Sequence, residues 1–316
     1  MKAVVLNGYG SPDFISLKDV PKPDTTENGV LVRVAAASVN AGDVFTVKGS
    51  PYMLRMEVGF PKPKDHILGW DIAGIVESVG RDVGRFKPGD EVYGSIESAF
   101  AEYAAGEEIL FEEKPKSLTF EEAAALPTAA LTALQRLRDG GNIQKGQKVL
   151  ILGASGGVGS LAVQIARSFG CEVDGVCHSR KTEMVKSLGA DRVYAYDTED
   201  FFRTDRRYDL ILDNTGRTRF SDMKRILTDD GLIMPNSGHG GMAYVIKAFS
   251  MAPFDRHIGT MKIVDLKKGD LKVINGLVEE GWVKPHVDRT FRLEETPQAI
   301  EYMDQGEVKG KIVITM

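Results

Sequence analysis

The stretch VLILGASGGVGSLAVQIA, residues 149–166, constrains the fold of this chain more than any other segment. Residues 149–152 form an apolar run bounded by glycine, which is typical of a strand buried on both faces of a parallel sheet. Apolar residues then recur at helical spacing over 158–166. The turn between the two reads G-x-G-x-x-G, with alanine in the first position and Gly156 and Gly159 in the others. Gly156 would admit a pyrophosphate to the backbone, and Gly159 would let the helix pack closely on the strand.

Glycine-rich turns also occur for structural reasons alone, so the segments that follow decide the interpretation. Strands alternate with helical stretches beyond the turn. Further strands are predicted at 171–177, 191–196, 208–214, 231–237 and 258–264, and a helix is predicted over 182–188. This alternation predicts a doubly wound parallel sheet, the architecture of dinucleotide-binding domains.

The residues after the second strand of this sheet indicate which dinucleotide fits. An acidic side chain there would bind the adenosine ribose of NAD, but the chain has His178, Ser179, Arg180 and Lys181. A guanidinium, an ammonium and a hydroxyl suit a 2′-phosphate, so the sequence favours NADPH. The alternative is that Arg180 and Lys181 only begin a solvated helix. Asp174 lies near the spacing expected for the acid, but inside the strand, and we discount it.

The regions that flank this domain have a different pattern. Residues 1–118 contain short strands and turns, with strands predicted at 31–34, 72–79 and 91–93. Thr119 and Glu122 form a capping-box pattern before an alanine-rich helical stretch that Pro127 interrupts, and this stretch is expected to cross between domains. Beyond residue 265, helix, strand, helix and strand are predicted at 271–281, 287–293, 296–306 and 311–316.

Composition excludes several classes of function. The 40 basic and 45 acidic side chains give a net charge of −5, which offers no basic face for nucleic acid. No apolar stretch approaches the roughly 20 residues that span a bilayer, and the start, MKAVVLNGYG, is not typical of a signal peptide. Only two cysteines are present, Cys171 and Cys177, so no disulfide framework is predicted and a cytoplasmic location is the expectation.

Several motifs resemble one family, in the order in which that family has them. They are VNAGDV (39–44), ILGWDIAGIVESVG (67–80), FKPGDEVYG (86–94), LPTAALTAL (126–134), GASGGVG (153–159), SLGAD (187–191) and GKIVIT (310–315). Over nearly the whole chain the sequence resembles the zinc-independent quinone oxidoreductase, or zeta-crystallin-like, branch of the medium-chain dehydrogenases/reductases. The resemblance implies an α/β chain with a GroES-like β-rich catalytic domain, 1–118 and 265–316, and a doubly wound Rossmann NADP-binding domain, 119–264.

One departure from the zinc alcohol dehydrogenases of the same superfamily concerns the metal. Their signature begins Gly-His-Glu, with the histidine as a zinc ligand, whereas Gly69, Trp70 and Asp71 stand in that frame here. Asn40 replaces a cysteine ligand near the start. Because catalytic zinc usually has three protein ligands, we expect no metal. His66, close to the frame, is interpreted as structural or exposed.

The expected chemistry follows from the missing ligands. Alcohol oxidation without a Lewis acid loses its means of lowering the hydroxyl pKa, whereas hydride delivery to an electron-poor carbon does not need one. The resemblance thus implies an NADPH-dependent, zinc-independent reductase of quinones or α,β-unsaturated carbonyls, with a small electrophilic molecule as substrate. Two alternatives stay open: an NADP-dependent alcohol or carbonyl oxidoreductase, and an NADPH-binding scaffold without significant turnover.

The resemblance also implies site residues. Those expected at the pyrophosphate are Ser155, Gly156, Gly157, Val158 and, from near the C-terminus, Lys311. Those expected at the adenosine end are Ser179, Arg180, Lys181 and Tyr196. Those expected at the strand ends and near the nicotinamide are Asn214, Thr215, Ser237, Gly238 and Thr128. At the reacting end we expect Asn40, Asp43 and Tyr52, with the Tyr52 hydroxyl as donor to the substrate oxygen; a cofactor hydroxyl or water is the alternative.

The remaining expectations concern a set of large apolar residues, one histidine and one sheet edge. One set would line a substrate pocket or, alternatively, belong to the core: Met53, Met56, Phe60, Met242, Tyr244, Phe249 and Phe254. His239 is interpreted as structural, with a role as proton donor as the alternative. The strand predicted at 258–264, IGTMKIV, would form an apolar sheet edge, and because such edges are usually covered we expect a homodimer.

Overall fold

The computed structural model describes residues 1–52, 54–64, 66–237, 239–267 and 269–316. Their contacts divide into a first unit, residues 1–129, 265–279 and 285–316, and a second unit, residues 130–264 and 280–284. The contact division changes units between residues 264 and 265, where a domain boundary is predicted, and the domain assignment stays a prediction. Residues 119–129, predicted in the Rossmann domain, belong to the first unit because their helix packs on that unit's strands.

The elements are numbered in chain order. The strands are β1 (Lys2–Leu6), β2 (Ile15–Asp19), β3 (Gly29–Val39), β4 (His66–Ile67), β5 (Asp71–Val79), β6 (Glu91–Ser95), β7 (Tyr103–Glu107), β8 (Phe111–Glu113), β9 (Lys148–Leu152), β10 (Glu172–Cys177), β11 (Arg192–Ala195), β12 (Tyr208–Asp213), β13 (Leu227–Pro235), β14 (Val287–Arg292) and β15 (Lys311–Thr315). The α-helices are α1 (Ala41–Lys48), α2 (Leu54–Val58), α3 (Phe120–Ala124), α4 (Pro127–Leu134), α5 (Gly157–Ser168), α6 (Thr182–Ser187), α7 (Phe220–Lys224), α8 (Gly241–Met251), α9 (Asp270–Glu279) and α10 (Thr296–Asp304).

The second unit contains the predicted doubly wound sheet. Its strands are all parallel, in the order β11-β10-β9-β12-β13. Strand β9 is central, because its apolar residues pair with β10 on one side and with β12 on the other. The order reverses beside β9, and ligands of open α/β sheets bind outside the carboxyl ends of the strands at such a point.

The strand predicted at 258–264 is wrong. Ile258 makes a single parallel bridge to Ile233 of β13, and the Gly259 N–H donates to the Ile233 carbonyl at 2.8 Å. The residues after Gly259 have no strand pairing within the described chain. The physical reason is their position at the edge of the sheet, where one side offers no further strand to pair with.

The first unit is mainly antiparallel. Its larger sheet runs β14-β15-β3-β5-β6-β8, with β7 also paired to β3, and a smaller sheet runs β2-β1-β4. The predicted capping box is confirmed, since the Thr119 N–H donates to Glu122 Oε2 at 3.0 Å and the Glu122 N–H to Thr119 Oγ1 at 3.2 Å. Pro127 separates α3 from α4, as expected. Among the described residues, no helix combines the length and apolar character needed to cross a bilayer.

Candidate active site

A buried carboxylate organises one edge of the larger sheet in the first unit. Asp71, fully buried at the start of β5, accepts hydrogen bonds at Oδ1 from the Thr128 N–H (3.0 Å) and the Thr128 hydroxyl (2.6 Å). Its Oδ2 accepts from Asn40 Nδ2 (2.9 Å) and Ser38 Oγ (3.3 Å). Lys311 Nζ lies 3.6 Å from the same oxygen. We call these residues, with Ser95 and Asp43, the Asp71 network.

Strand register explains why residues distant in sequence meet there. In the antiparallel sheet Asp71 pairs with Ser38 of β3 on one side and with Ser95 of β6 on the other. Strand β15 pairs antiparallel to β3, so Lys311 at its start lies beside the end of β3. Thr128, at the first turn of α4, completes the group, and its Oγ1 lies 3.0 Å from Ser95 Oγ.

Burial and the neighbouring charges shift the pKa values of Asp43 and Lys311 in this network. Asp43 is buried in the first turn of α1, where its Oδ2 accepts from the Asn40 N–H at 2.7 Å. Burial, assisted by the nearby Asp71 charge, raises the pKa of Asp43 to about 7. Burial also lowers the pKa of Lys311, whose Nζ donates to Asn40 Oδ1 at 2.6 Å. One ammonium between two carboxylates favours a proton on Asp43.

Tyr52, predicted at the reacting end with Asn40 and Asp43, lies apart from the Asp71 network in the described part of the first unit. Tyr52 is 61% exposed. The guanidinium carbon of Arg55 lies 4.8 Å from the centre of the Tyr52 ring, and the Phe60 ring contacts the Tyr52 ring edge-on. Met56 and Phe60 of the same segment are exposed, and Met53 lies outside the described residues. The structure therefore brings Asn40 and Asp43 together but keeps Tyr52 on an exposed aromatic segment.

In the second unit the glycine turn has the predicted geometry. A Cβ built on Gly159 would lie 2.9 Å from Ala154 Cα and nearer still to the Gly153 carbonyl oxygen, so only glycine lets α5 approach the turn. A Cβ on Gly156 would meet only the Gly153 oxygen, at 3.5 Å. The backbone at Gly156 is therefore open above the N-terminus of α5, where unpaired N–H groups favour an anion. Ser155, Gly157 and Val158 adjoin this opening, so the turn fits a dinucleotide pyrophosphate.

At the predicted adenosine end, Ser179 binds a carboxylate of the chain itself. The Ser179 N–H donates to Asp197 Oδ1 and its hydroxyl to Asp197 Oδ2, both at 2.7 Å. The Arg180 N–H donates to His178 Nδ1 at 3.2 Å, and exposed Tyr196 packs edge-on against the His178 ring. Sequence reasoning did not single out Asp197.

The discounted alternative, Asp174, is buried in β10 as expected of a structural residue. It accepts from the Tyr208 hydroxyl at 2.8 Å and pairs with Arg206 at 3.3 Å. Burial raises its pKa. A carboxylate enclosed in this way has no route to a ribose at the strand end.

The predicted residues at the remaining strand ends form a second buried network. Asp213 Oδ1 accepts from the Thr215 N–H (2.9 Å) and hydroxyl (2.7 Å), and Asp213 Oδ2 accepts from the Tyr244 hydroxyl (2.7 Å). Asn214 donates to the Leu152 carbonyl at 3.2 Å. Tyr244 is therefore a buried structural residue and not part of a pocket wall, whereas Met242, Phe249 and Phe254 are exposed.

Two residues near the end of β13 were also predicted. Ser237 is buried, and its Oγ accepts from the His239 N–H at 3.0 Å, which gives His239 a backbone role in this turn. Gly238, predicted with Ser237, lies outside the described residues.

The positions at which a zinc alcohol dehydrogenase would carry ligands are engaged in packing and hydrogen bonds. Gly42 makes room for the Trp70 indole, because a Cβ at Gly42 would overlap that ring. Asn40 is engaged by Lys311 and Asp71. His66 is half-buried in β4, and burial lowers its pKa. Among the described residues, no group of three histidine, cysteine, aspartate or glutamate side chains has an arrangement that could hold a metal ion.

Lys311 and Asp71 show the limits of reading this site from sequence. Lys311 was predicted at the pyrophosphate, but the structure encloses its ammonium in the Asp71 network, and a contact with phosphate stays a prediction. Asp71 was treated only as a remnant of the metal frame. The available signal was an acid inside the apolar run ILGWDIAGIV, because charged residues are almost never fully buried unless paired.

Two family models match the chain. The alcohol dehydrogenase GroES-like domain matches residues 26–134, and the zinc-binding dehydrogenase model matches residues 188–314. The first match lies mostly in the first unit, and the second begins just after α6 and extends into β15.

The chain is similar over nearly its whole length to reductases of activated alkenes and quinones. It is 34% identical to the 2-methylene-furan-3-one reductase of Solanum lycopersicum, over 99% of this chain and 79% of that one. It is 31% identical to the chloroplastic NADPH-dependent alkenal/one oxidoreductase of Arabidopsis thaliana, again over 99% and 79%. The structure of the quinone oxidoreductase from Coxiella burnetii superposes with a TM-score of 0.89 at 30% identity, covering 100% of this chain and 99% of that one.

Proposed function

The chain belongs to the quinone oxidoreductase family of the medium-chain dehydrogenases/reductases, and from that membership we propose that it reduces quinones or α,β-unsaturated carbonyls with NADPH and without a catalytic metal. The observation that carries the proposal is the state of the two former ligand positions. Trp70 is packed on α1, and Asn40 has its side chain bound between Lys311 and Asp71. With no donor set for a Lewis acid there, the chemistry suited to the site is reduction of a carbon that is already electron-poor.

The second unit offers the groups that would hold the dinucleotide. The open backbone at Gly156 and the N-terminus of α5 suit the pyrophosphate, assisted by Ser155, Gly157 and Val158. Ser179, Arg180 and Lys181 would contact the adenosine 2′-phosphate and Tyr196 the adenosine. Asn214, Thr215, Ser237 and Gly238 would serve at the other strand ends. When bound, the cofactor supplies a hydride.

Hydrogen-bond accounting supports Tyr52 as the donor to the substrate oxygen. The Thr128 hydroxyl donates to Asp71, so toward any further group its oxygen can only accept. Both N–H bonds of the Asn40 amide are engaged, one by Asp71 and one by the Ser38 carbonyl at 3.4 Å. The exposed Tyr52 hydroxyl, by contrast, forms no hydrogen bond with the residues that the structure describes. Because the Asn40 donors are engaged, the Tyr52 hydroxyl is the exposed, uncommitted donor available to a developing oxyanion.

The Asp71 network would act on the cofactor indirectly. Because Thr128 can only accept, it suits an N–H donor such as a carboxamide, and Asp71 fixes the Thr128 hydroxyl in that role. Lys311, whose Nζ lies 3.6 Å from Asp71 Oδ2, supplies the charge that compensates the Asp71 carboxylate.

We also propose a homodimer. Ile263 is 94% exposed in residues 260–264, which have no strand pairing within the described chain and follow the bridge from Ile258 to the edge strand β13. An apolar segment at a sheet edge is a ready site for pairing with a second copy.

The test of the proposed reaction is NADPH oxidation with a panel of quinones and enones, before and after exhaustive chelation. We expect turnover that survives chelation, with deuterium from 4-labelled NADPH appearing at the β-carbon of an enone. Deuterium at the carbonyl carbon, or activity restored only by added zinc, would contradict the proposal.

The role of Tyr52 is tested separately. Tyr52→Phe is expected to lower kcat about a hundredfold or more, the usual cost of one oxyanion donor. Phe60→Leu on the same exposed segment is the control, since it alters the aromatic contact and removes no hydroxyl. Wild-type turnover of Tyr52→Phe would refute the donor role of Tyr52 but would not contradict the proposed reaction.

A further inference from the structure

A carboxylate of the chain occupies the donors that a 2′-phosphate would use. Asp197 follows β11, and Ser179 follows β10. These strands are parallel neighbours with Cys177 opposite Ala195, so the two loops emerge side by side. Both oxygens of Asp197 are bound by Ser179, one by its N–H and one by its hydroxyl. The pair thus repeats, inside the chain, the way a serine and its amide bind an anion.

This carboxylate is negatively charged and close to solvent. The Ser179 hydrogen bonds lower the pKa of Asp197, so it is ionised at neutral pH. His178 Nδ1 lies 3.6 Å from Asp197 Oδ2 and accepts the Arg180 N–H at 3.2 Å. The side chain of Asp197 keeps 26% of its surface exposed. A ligand that reaches Ser179 therefore meets this charge at contact distance.

We propose that Asp197 sets the cofactor selectivity of this enzyme by opposing a 2′-phosphate and accepting a hydrogen bond from a free 2′-hydroxyl. The inference rests on the proposed use of a nicotinamide dinucleotide. NADPH must displace Asp197 from Ser179 or share Ser179 with it, while Arg180 and Lys181 attract the phosphate. NADH offers an O–H donor that a carboxylate accepts. Asp197 thereby narrows the preference for NADPH that the basic residues create.

The experiment measures the dissociation constants of NADPH and NADH by fluorescence titration for the wild type and Asp197→Asn. Asparagine keeps an acceptor for Ser179 and removes the charge. We expect the NADPH:NADH selectivity to rise about tenfold or more, chiefly through tighter NADPH binding, and the gain to shrink with added salt because the site is exposed.

Asp200→Asn is the matched control. Asp200 lies in the same loop and pairs with Arg203 at 3.3 Å, so this substitution removes an equal charge without touching Ser179. Its selectivity should stay at the wild-type value. Asp197→Ser provides a second neutral variant in case the asparagine variant misfolds.

Two results would overturn the inference. A selectivity that is unchanged in both neutral variants, or that rises equally in Asp200→Asn, would show that the contact of Asp197 with Ser179 is only structural. Failure of the wild type to bind either cofactor at millimolar concentration would instead refute the proposed function itself, and the inference with it.

Discussion

Two single substitutions in the glycine turn should have different effects: Gly159→Ala should lower stability, and Gly156→Ala should weaken cofactor binding. The two glycines lie three positions apart in the same turn, yet an added methyl group meets different surroundings at each. At Gly159 it would overlap the backbone of Gly153 and Ala154, which has no rotamer by which to move away. At Gly156 the nearest atom is an ordinary 3.5 Å away, and the backbone, at φ −84°, suits alanine.

The magnitudes follow from that difference. Overpacking against a backbone costs about 1–3 kcal/mol, and the upper end applies because α5 must move off β9. Replacing a glycine returns about 0.4–1 kcal/mol by restricting the unfolded chain. Gly159→Ala should therefore lose about 2 kcal/mol, a fall in Tm of about 4–8 °C for a domain of this size. Gly156→Ala should be as stable as the wild type or slightly more so.

The assay is thermal unfolding with and without NADPH. Bound ligand raises Tm by mass action, so the NADPH-induced shift reports affinity. Gly156→Ala should lose most of this shift, since its methyl group occupies the opening expected for the pyrophosphate, at a cost of about tenfold or more in affinity. Equal Tm values for the two variants without ligand, or a full NADPH shift in Gly156→Ala, would refute the reasoning.

Other predictions concern charge and assembly. Lys311→Met should cost about 3–5 kcal/mol in urea unfolding because it leaves Asp71 buried without a cation, and adding Asp71→Asn should recover part of the loss; a change under about 1 kcal/mol would contradict the network. Asp43 has a pKa of about 7 in the folded state against an ordinary value of 3.8, so the folded state binds more protons than the unfolded state between these pH values. The free energy of unfolding should therefore fall as pH rises through this window. Asp43→Asn should flatten this pH dependence when unfolding is measured across the window. Ile263→Glu should convert a dimer to a monomer in sedimentation velocity, and a monomeric wild type at micromolar concentration would count against the dimer.

The parallel sheet of the second unit was predictable because its signals are local. Each strand is an apolar run ended by glycine or a polar residue, and each boundary depends on a few neighbouring side chains. The error at 258–264 arose where that logic stops. The sequence IGTMKIV has strand-like composition, but an edge segment is a strand only when something pairs with it. Composition reports the preference of a segment, and the partner decides the outcome.

The Asp71 network was not predictable in the same way, because its members come from positions 38, 40, 43, 71, 95, 128 and 311. Strand register and the placement of α1 and α4 bring them together. The sequence places an acid in an apolar strand, and physics then requires donors around it. It does not identify them. The same limit applies at the adenosine end: Ser179 and Arg180 indicated a phosphate, but only the parallel pairing of β10 with β11 brings Asp197 against Ser179. A basic motif therefore predicts affinity for an anion, while the proposed cofactor selectivity depends on a carboxylate that the register supplies.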